Sequence, residues 1–128
     1  MIQSHKSIQY CCRALSPGGA LILLAECTDG YGSPDFERFF PITDIDSHLD
    51  AVRSNRRPNG QTALALHQRA TEYNIYFVSE LPEKEVIDMG LIPGKSLEEA
   101  IAAVKEAGFG MGQAYIIPAG ADTIPFLK

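Results

Sequence analysis

"GGALILLAECTDGYGSPDFERFF", residues 18–40, decides how the chain is built. Gly18-Gly19 turns the backbone into an apolar run from Ala20 to Glu26. Such a run, of strand length and without alternation, suits a strand covered on both faces, as in a parallel sheet. The run ends in a polar loop, Thr28-Asp29-Gly30-Tyr31-Gly32. Ser33-Pro34 then opens a helix with an N-cap residue and a proline at the first helical position. Phe36, Phe39 and Phe40 give that short helix its apolar side, and Pro41 ends it. Strand, glycine loop and helix start, in that order, also describe a phosphate cradle, so the loop invites two readings.

The same alternation extends both ways from this stretch. Residues 3–15 read as a helix with Ile8, Cys11, Cys12 and Leu15 on one face and Gln3, Lys6 and Tyr10 on the other. Ser16-Pro17-Gly18-Gly19 stops it. Downstream, helices are expected from Thr43 to about Ser54 and from Thr62 to Tyr73, followed by a strand, Ile75 to Val78. A short helix from Pro82 to Met89 and a Pro93-Gly94 turn come next. Ser96 and Glu99 form a capping box for a helix running to about Ala107. Ala114 to Ile117 is expected as the third strand, ended by Pro118-Ala119-Gly120. Connections far too long for hairpins predict an α/β fold: a three-layer sandwich with a small, mainly parallel sheet of about three strands flanked by helices. The 128 residues suit one such domain, spanning residues 1–128.

Charge narrows the partners. A formal net charge of −5, from 16 acidic against 11 basic residues, argues against nucleic acid or an anionic membrane, which need clustered positive charge. The one basic cluster, Arg53 to Arg57, reads as a solvated turn beside Pro58-Asn59-Gly60. No apolar run approaches the roughly 20 residues that span a bilayer, and no apolar block follows the first residues as in a secretory signal. The expected location is cytoplasmic. Three cysteines, two of them adjacent and none in a C-x-x-C pair, do not make a disulfide framework.

In open α/β sheets ligands bind at the carboxyl ends of the strands. That rule nominates three loops: Cys27 to Gly32, Ser79-Glu80 and Pro118 to Asp122. As a nucleotide cradle the first fails. Gly30 and Gly32 supply two glycines of G-x-G-x-x-G, but Asp35 occupies the third position and would repel phosphate. No G-x-x-x-x-G-K-[S/T] string occurs either, so no cofactor-binding residues are assigned. Cys11 and Cys12 diverge by about 100° on a helix. His48 and His67 are irregularly spaced, and no metal site is expected. Ser79 lacks the G-x-S-x-G surroundings of a nucleophile elbow. Gln3 and Lys6 remain: three apart and off the apolar face, they suit gripping a carboxylate or hydroxyl, although the same pair is ordinary decoration on a solvated helix.

The stretches "IQSHKSIQYCCRALSPGGALILLAECTDGYGSPDFERFF", "IYFVSELPEKEVIDMGLIPGKSLEEAIAA" and "AYIIPAGADTIPFLK" resemble the C-terminal domain of the nickel-dependent lactate racemase family. The specific part is Gln-x-x-Lys on a helix, then Pro-Gly-Gly, an apolar strand, Ala-Glu-Cys and the Asp-Gly-Tyr-Gly loop. The resemblance implies one half of a two-domain isomerase for a small 2-hydroxy acid. In that family a nickel-pincer nucleotide sits in the N-terminal domain together with the acid-base histidines. The C-terminal domain lends the Gln-x-x-Lys pair, here Gln3 and Lys6, as catalytic, substrate-orienting residues. Asp29, Gly30, Tyr31, Gly32 and Gln61 are the implied cleft positions. Ile2 stands where the family often has tyrosine, and Gly60 to Ala63 where it often has tryptophan or histidine, which leaves lactate itself open as the substrate. With the cofactor-bearing half outside this chain, the isolated chain is expected to bind no cofactor and to be inactive. Its expected partner is an N-terminal racemase domain, in cis or in trans, with homo-oligomerisation possible. The competing expectation is a free-standing, non-catalytic binding or assembly module.

Overall fold

Alternate residues of a strand face opposite ways, and here that alternation divides the molecule into three layers. In a computed structural model describing residues 1–41, 44–54, 57–110 and 114–126, three parallel strands form one sheet. They are β1 (Ala20–Leu24), β2 (Asn74–Val78) and β3 (Ile92–Gly94), in the order β1-β2-β3. Leu21 lies opposite Ile75 and Leu23 opposite Phe77, while Tyr76 lies opposite Ile92. The helices are α1 (His5–Cys11), α2 (Pro34–Glu37), α3 (Ile45–Ser54), α4 (Gly60–Glu72), α5 (Glu83–Asp88) and α6 (Leu97–Glu106).

Leu21, Leu23, Ile75 and Phe77 point to the larger core, where they meet Ile8 and Cys12, Phe36 and Phe39, Leu66 of α4, and Val86 of α5. Ala20, Ile22, Tyr76 and Val78 point to the opposite side and meet Ala100, Ala103 and Val104 of α6. Both crossovers, β1 to β2 through α4 and β2 to β3 through α5, therefore lie on one face, as successive parallel strands advancing in one direction require. A single helix, α6, covers the other face. The expected three-layer α/β sandwich is the fold.

The third strand is not the expected one. Ala114 to Ile117 are outside any strand, and Ile92–Gly94, whose Pro93-Gly94 reads as a turn, pairs with β2. Local propensity misled here because β3 is short and lies at the sheet edge, where proline's missing N–H is tolerated. Gly94 has a steric reason as well: a Cβ there would lie 3.3 Å from Val78 Cγ2 and 3.5 Å from Ala100 Cβ, where α6 crosses the sheet.

Helix starts follow the local capping chemistry only in part, since Ser4, Ser33 and Asn59 make no side-chain cap whereas Ser96 does. Ser96 Oγ accepts from Glu99 N–H at 3.2 Å, and Glu99 Oε2 accepts from Lys95 N–H at 3.1 Å, so the capping box forms one residue wider than the simple pattern. Ser33 does not cap α2 with its side chain; its hydroxyl accepts from Asn59 Nδ2 at 3.1 Å instead. The first helix is shorter than 3–15, with Gln3 in the turn before it and Cys12–Ala14 continuing it as a 3₁₀ turn. Thr43, the expected start of the next helix, and Asn55 and Arg56 of the basic cluster lie outside the described residues.

Candidate functional site

Gln3 and Lys6 occupy one turn. Lys6 N–H donates to Gln3 O at 3.2 Å, Ser4 N–H to Met1 O at 2.8 Å, and His5 Nδ1–H to Ile2 O at 2.6 Å. Both Gln3 and Lys6 are exposed, and among the described residues Lys6 makes no ion pair. An exposed ammonium and amide on one turn can present donors to a carboxylate.

What holds this turn in place is the loop after β1. Ile2 N–H donates to Tyr31 O at 3.0 Å, and the Met1 ammonium to Gly30 O at 2.8 Å. The loop bends back through left-handed backbone at Cys27, Gly30 and Gly32, with φ of 60°, 61° and 81°. Tyr31 anchors it from within: its ring stacks on Phe40 at 5.8 Å and meets Phe36 edge-on at 6.3 Å. Burial, with the negative fields of Glu85, Asp88 and Glu37, pushes the Tyr31 phenol up to about 12. It stays protonated at neutral pH and acts as an anchor. Asp29 is exposed at the loop's tip.

Gln61 is exposed on the first turn of α4. The Asn59–Ser33 hydrogen bond ties that turn to the residue after Gly32. These hydrogen bonds link the first turn, the Asp29 to Gly32 loop and the Gln61 turn into one continuous edge. Gly32 is its tightest point, because a Cβ there would sit 2.9 Å from Ile2 Cγ2 on a backbone that disfavours side chains. Gly32→Ala is expected to destabilise the chain by about 2 kcal/mol, from left-handed strain plus crowding. Gly30→Ala meets nothing within 4 Å and is expected to cost about half of that. Urea unfolding of the two variants checks the difference.

The carboxyl ends of the strands form a separate open cleft of about 500 Å³. Glu26, Ser79, Glu80 and Lys95 supply its polar lining, and Leu24 and Leu97 its apolar walls. The loop after β1 and Ser79-Glu80 both reach this end, as expected. Pro118 to Asp122 does not: Gly120 packs on α1, where an added Cβ would sit 3.1 Å from Ser7 Cβ and 3.4 Å from Cys11 Sγ. Two glutamates make the cleft a poor seat for an anion, whereas Lys6 offers an unneutralised cation.

The spacing of His48 and His67 conceals that they meet. Their Nδ1 atoms are 3.3 Å apart, and the His48 ring also stacks on Phe39 at 5.6 Å. His48 is 1% exposed, and its Nε2 has no hydrogen-bond partner. The available signal was helical register: His48 lies three residues from Ile45 and four from Val52, and His67 three from Ala70. Burial first, then the neighbouring His67, lowers the His48 pKa to about 4; burial lowers that of His67, against the carboxylate of Asp44. Burial also raises the thiols of Cys11 and Cys12, the latter to about 11, which makes neither a nucleophile at neutral pH. Among the described residues no three His, Cys, Asp or Glu side chains converge as a metal would require, and no helix is long and apolar enough to cross a membrane.

A three-stranded parallel α/β domain that presents an exposed Gln-x-x-Lys turn against an Asp-Gly-Tyr-Gly loop is the class defined so far. The lactate racemase C-terminal domain pattern matches residues 1–124, and the chain belongs to that family. It is 27% identical to the lactate racemase of Thermoanaerobacterium thermosaccharolyticum over 128 residues, covering 95% of this chain and 30% of the relative. The structure of that organism's lactate racemase apoprotein is similar with a TM-score of 0.84 at 26% identity, over 96% of this chain and 31% of the other. The chain therefore spans about a third of the length of the relatives it matches.

Proposed function

We propose that this domain orients the substrate of a lactate racemase-like enzyme acting on a small 2-hydroxy acid, with turnover requiring the N-terminal portion that the longer relatives carry. The observation that supports this most is the Gln3–Lys6 turn, held by hydrogen bonds to the loop after β1 with Lys6 unneutralised. The Lys6 ammonium binds the substrate carboxylate through a charge-assisted hydrogen bond, and the Gln3 amide bonds a second oxygen. Two fixed contacts set the orientation of the reacting carbon, and orientation is where such a domain contributes rate.

By resemblance, the nickel-bearing nucleotide is assigned to the N-terminal portion and not to this chain. Its described residues offer no three-donor cluster, and its sole imidazole pair is sealed in the core with one nitrogen unpartnered. The part proposed for this chain is therefore binding and positioning.

Chiral chromatography of D- and L-2-hydroxy acids is the test. The chain alone is expected to interconvert nothing. Co-expressed with the N-terminal portion of the Thermoanaerobacterium enzyme, with nickel cofactor supplied, it is expected to racemise at least one of them. Racemisation by the chain alone, or none by an assembled pair carrying cofactor, would falsify the reading.

A further inference from the structure

Ala114-Tyr115-Ile116-Ile117 is the one segment whose sequence reads as a buried strand and whose structure is neither buried nor paired. Tyr115 is 76% exposed and Ile116 91%, and none of the four backbones hydrogen-bonds to a described residue. Three of the four residues favour strands. Isolated exposed apolar residues are ordinary, but this is not isolated. Ile124 and Phe126, 42% and 79% exposed, lie in the same stretch. Residues 114–126 carry one charge, Asp122, in a chain that is 21% charged. Charge depletion with enriched aromatics is the composition of an interface centre.

The stretch is nevertheless fixed to the domain. Gly120 packs against Ser7 and Cys11, and Arg13 lies over the Phe126 ring at 5.9 Å. Its anchor is α1 and the turn that follows, the same helix whose first turn carries Lys6. Whatever covers the segment is brought beside the candidate site.

We infer that Ala114–Ile117 is a docking strand for the N-terminal portion of the racemase, pairing with an exposed strand edge there and burying Tyr115 or Ile116 against it. The occupant follows from length: the relatives extend over roughly twice as much chain again beyond the matched third. Strand addition supplies the backbone partners that the described residues do not, while alternate side chains supply specificity. The inference rests on the proposed function for the identity of the partner, and it explains why a strand-forming sequence has no strand partner among the described residues.

Hydrogen exchange on the chain, alone and co-expressed with the N-terminal portion of the Thermoanaerobacterium enzyme, tests it. Alone, the amides of 115–117 are expected to exchange at near-free rates; in the complex, at least some slow by a hundredfold or more. Ile116→Asp is expected to weaken the complex at least tenfold and to leave the melting temperature of the chain within about 1 °C, since the side chain touches little of its own domain. Tyr115→Ser provides a second, milder variant with the same expected direction. Failure to form a complex, unprotected amides in a formed complex, or protection already present in a self-associated chain that Ile116→Asp dissociates would each overturn the inference. A complex with protected amides and no racemisation sinks the proposed function and leaves the docking strand standing.

Discussion

Lys6→Ala is expected to lower kcat/KM of the assembled enzyme about a hundredfold, and Gln3→Ala about tenfold, with no change in the stability of the chain. The magnitudes follow from what each side chain contributes. A hydrogen bond to a charged group is worth about 1.5–3 kcal/mol, and each ~1.4 kcal/mol is a factor of ten. Lysine's point charge on the carboxylate sits at the upper end of that range, the neutral amide at the lower. Stability is the control, because both side chains are exposed, and surface changes away from special features usually stay within about 0.5 kcal/mol. Lys6→Arg retains the charge on a different donor geometry. It is expected to preserve KM better than kcat, since a misplaced carboxylate still binds but turns the reacting carbon. Steady-state kinetics on the three variants decides. Wild-type turnover by Lys6→Ala would remove Lys6 from the site.

Acid is expected to loosen the molecule through the histidine pair joining α3 and α4. The unfolded His48 titrates near 6.5 and the folded one near 4. Between those values the unfolded chain binds more protons, so each step down in pH favours unfolding. This contribution is absent above about pH 6.5, grows as pH falls, and levels off below about pH 4. Integrated over that window it removes about 3 kcal/mol, a large part of a typical domain's stability. His67 shifts in the same direction and adds to the loss. Burial is the main cause, and the contact adds to it: one Nδ1 must donate and the other accept across 3.3 Å, and a second proton leaves two donors facing each other. His48→Gln keeps a polar side chain in the core without a titrating group. Urea unfolding at pH 7, 5.5 and 4.5 should show a shallower decline for that variant than for wild type, whatever its absolute stability. Parallel declines would show that His48 does not carry the effect.

The fold was legible wherever a periodicity had one explanation. Ala20–Leu24 and Asn74–Val78 are strands because their apolar residues alternate between two covered faces, and the inner face of α1, Ile8 with Cys11 and Cys12, is buried as its spacing predicts. Ile92–Gly94 was illegible because no local signal makes a strand of Ile-Pro-Gly; only the short α5 crossover delivers it to the edge of β2. Ala114–Ile117 misled in the opposite sense, carrying strand propensity with no strand partner among the described residues. At the candidate site, the placement of Gln3 and Lys6 one turn apart followed from spacing, although Gln3 lies in the turn before the helix and not on it. The attachment of that turn to the loop through Ile2 and Tyr31 depends on backbone hydrogen bonds, which side-chain patterns do not encode. The His48–His67 contact joins two helices across 19 residues, a distance over which periodicity within either helix says nothing about the other.

The packing of Gly120 on Ser7 and Cys11 has a mechanical consequence. Both ends of the described chain, the first turn and the 119–126 stretch, lie along α1. In any longer polypeptide that contains the domain, the entering and leaving strands of chain would be gathered along one flank, like the two leaves of a door hinge. The Gln3–Lys6 turn lies on that same flank, whereas the open cleft by Glu26 and Lys95 lies at the carboxyl ends of the strands.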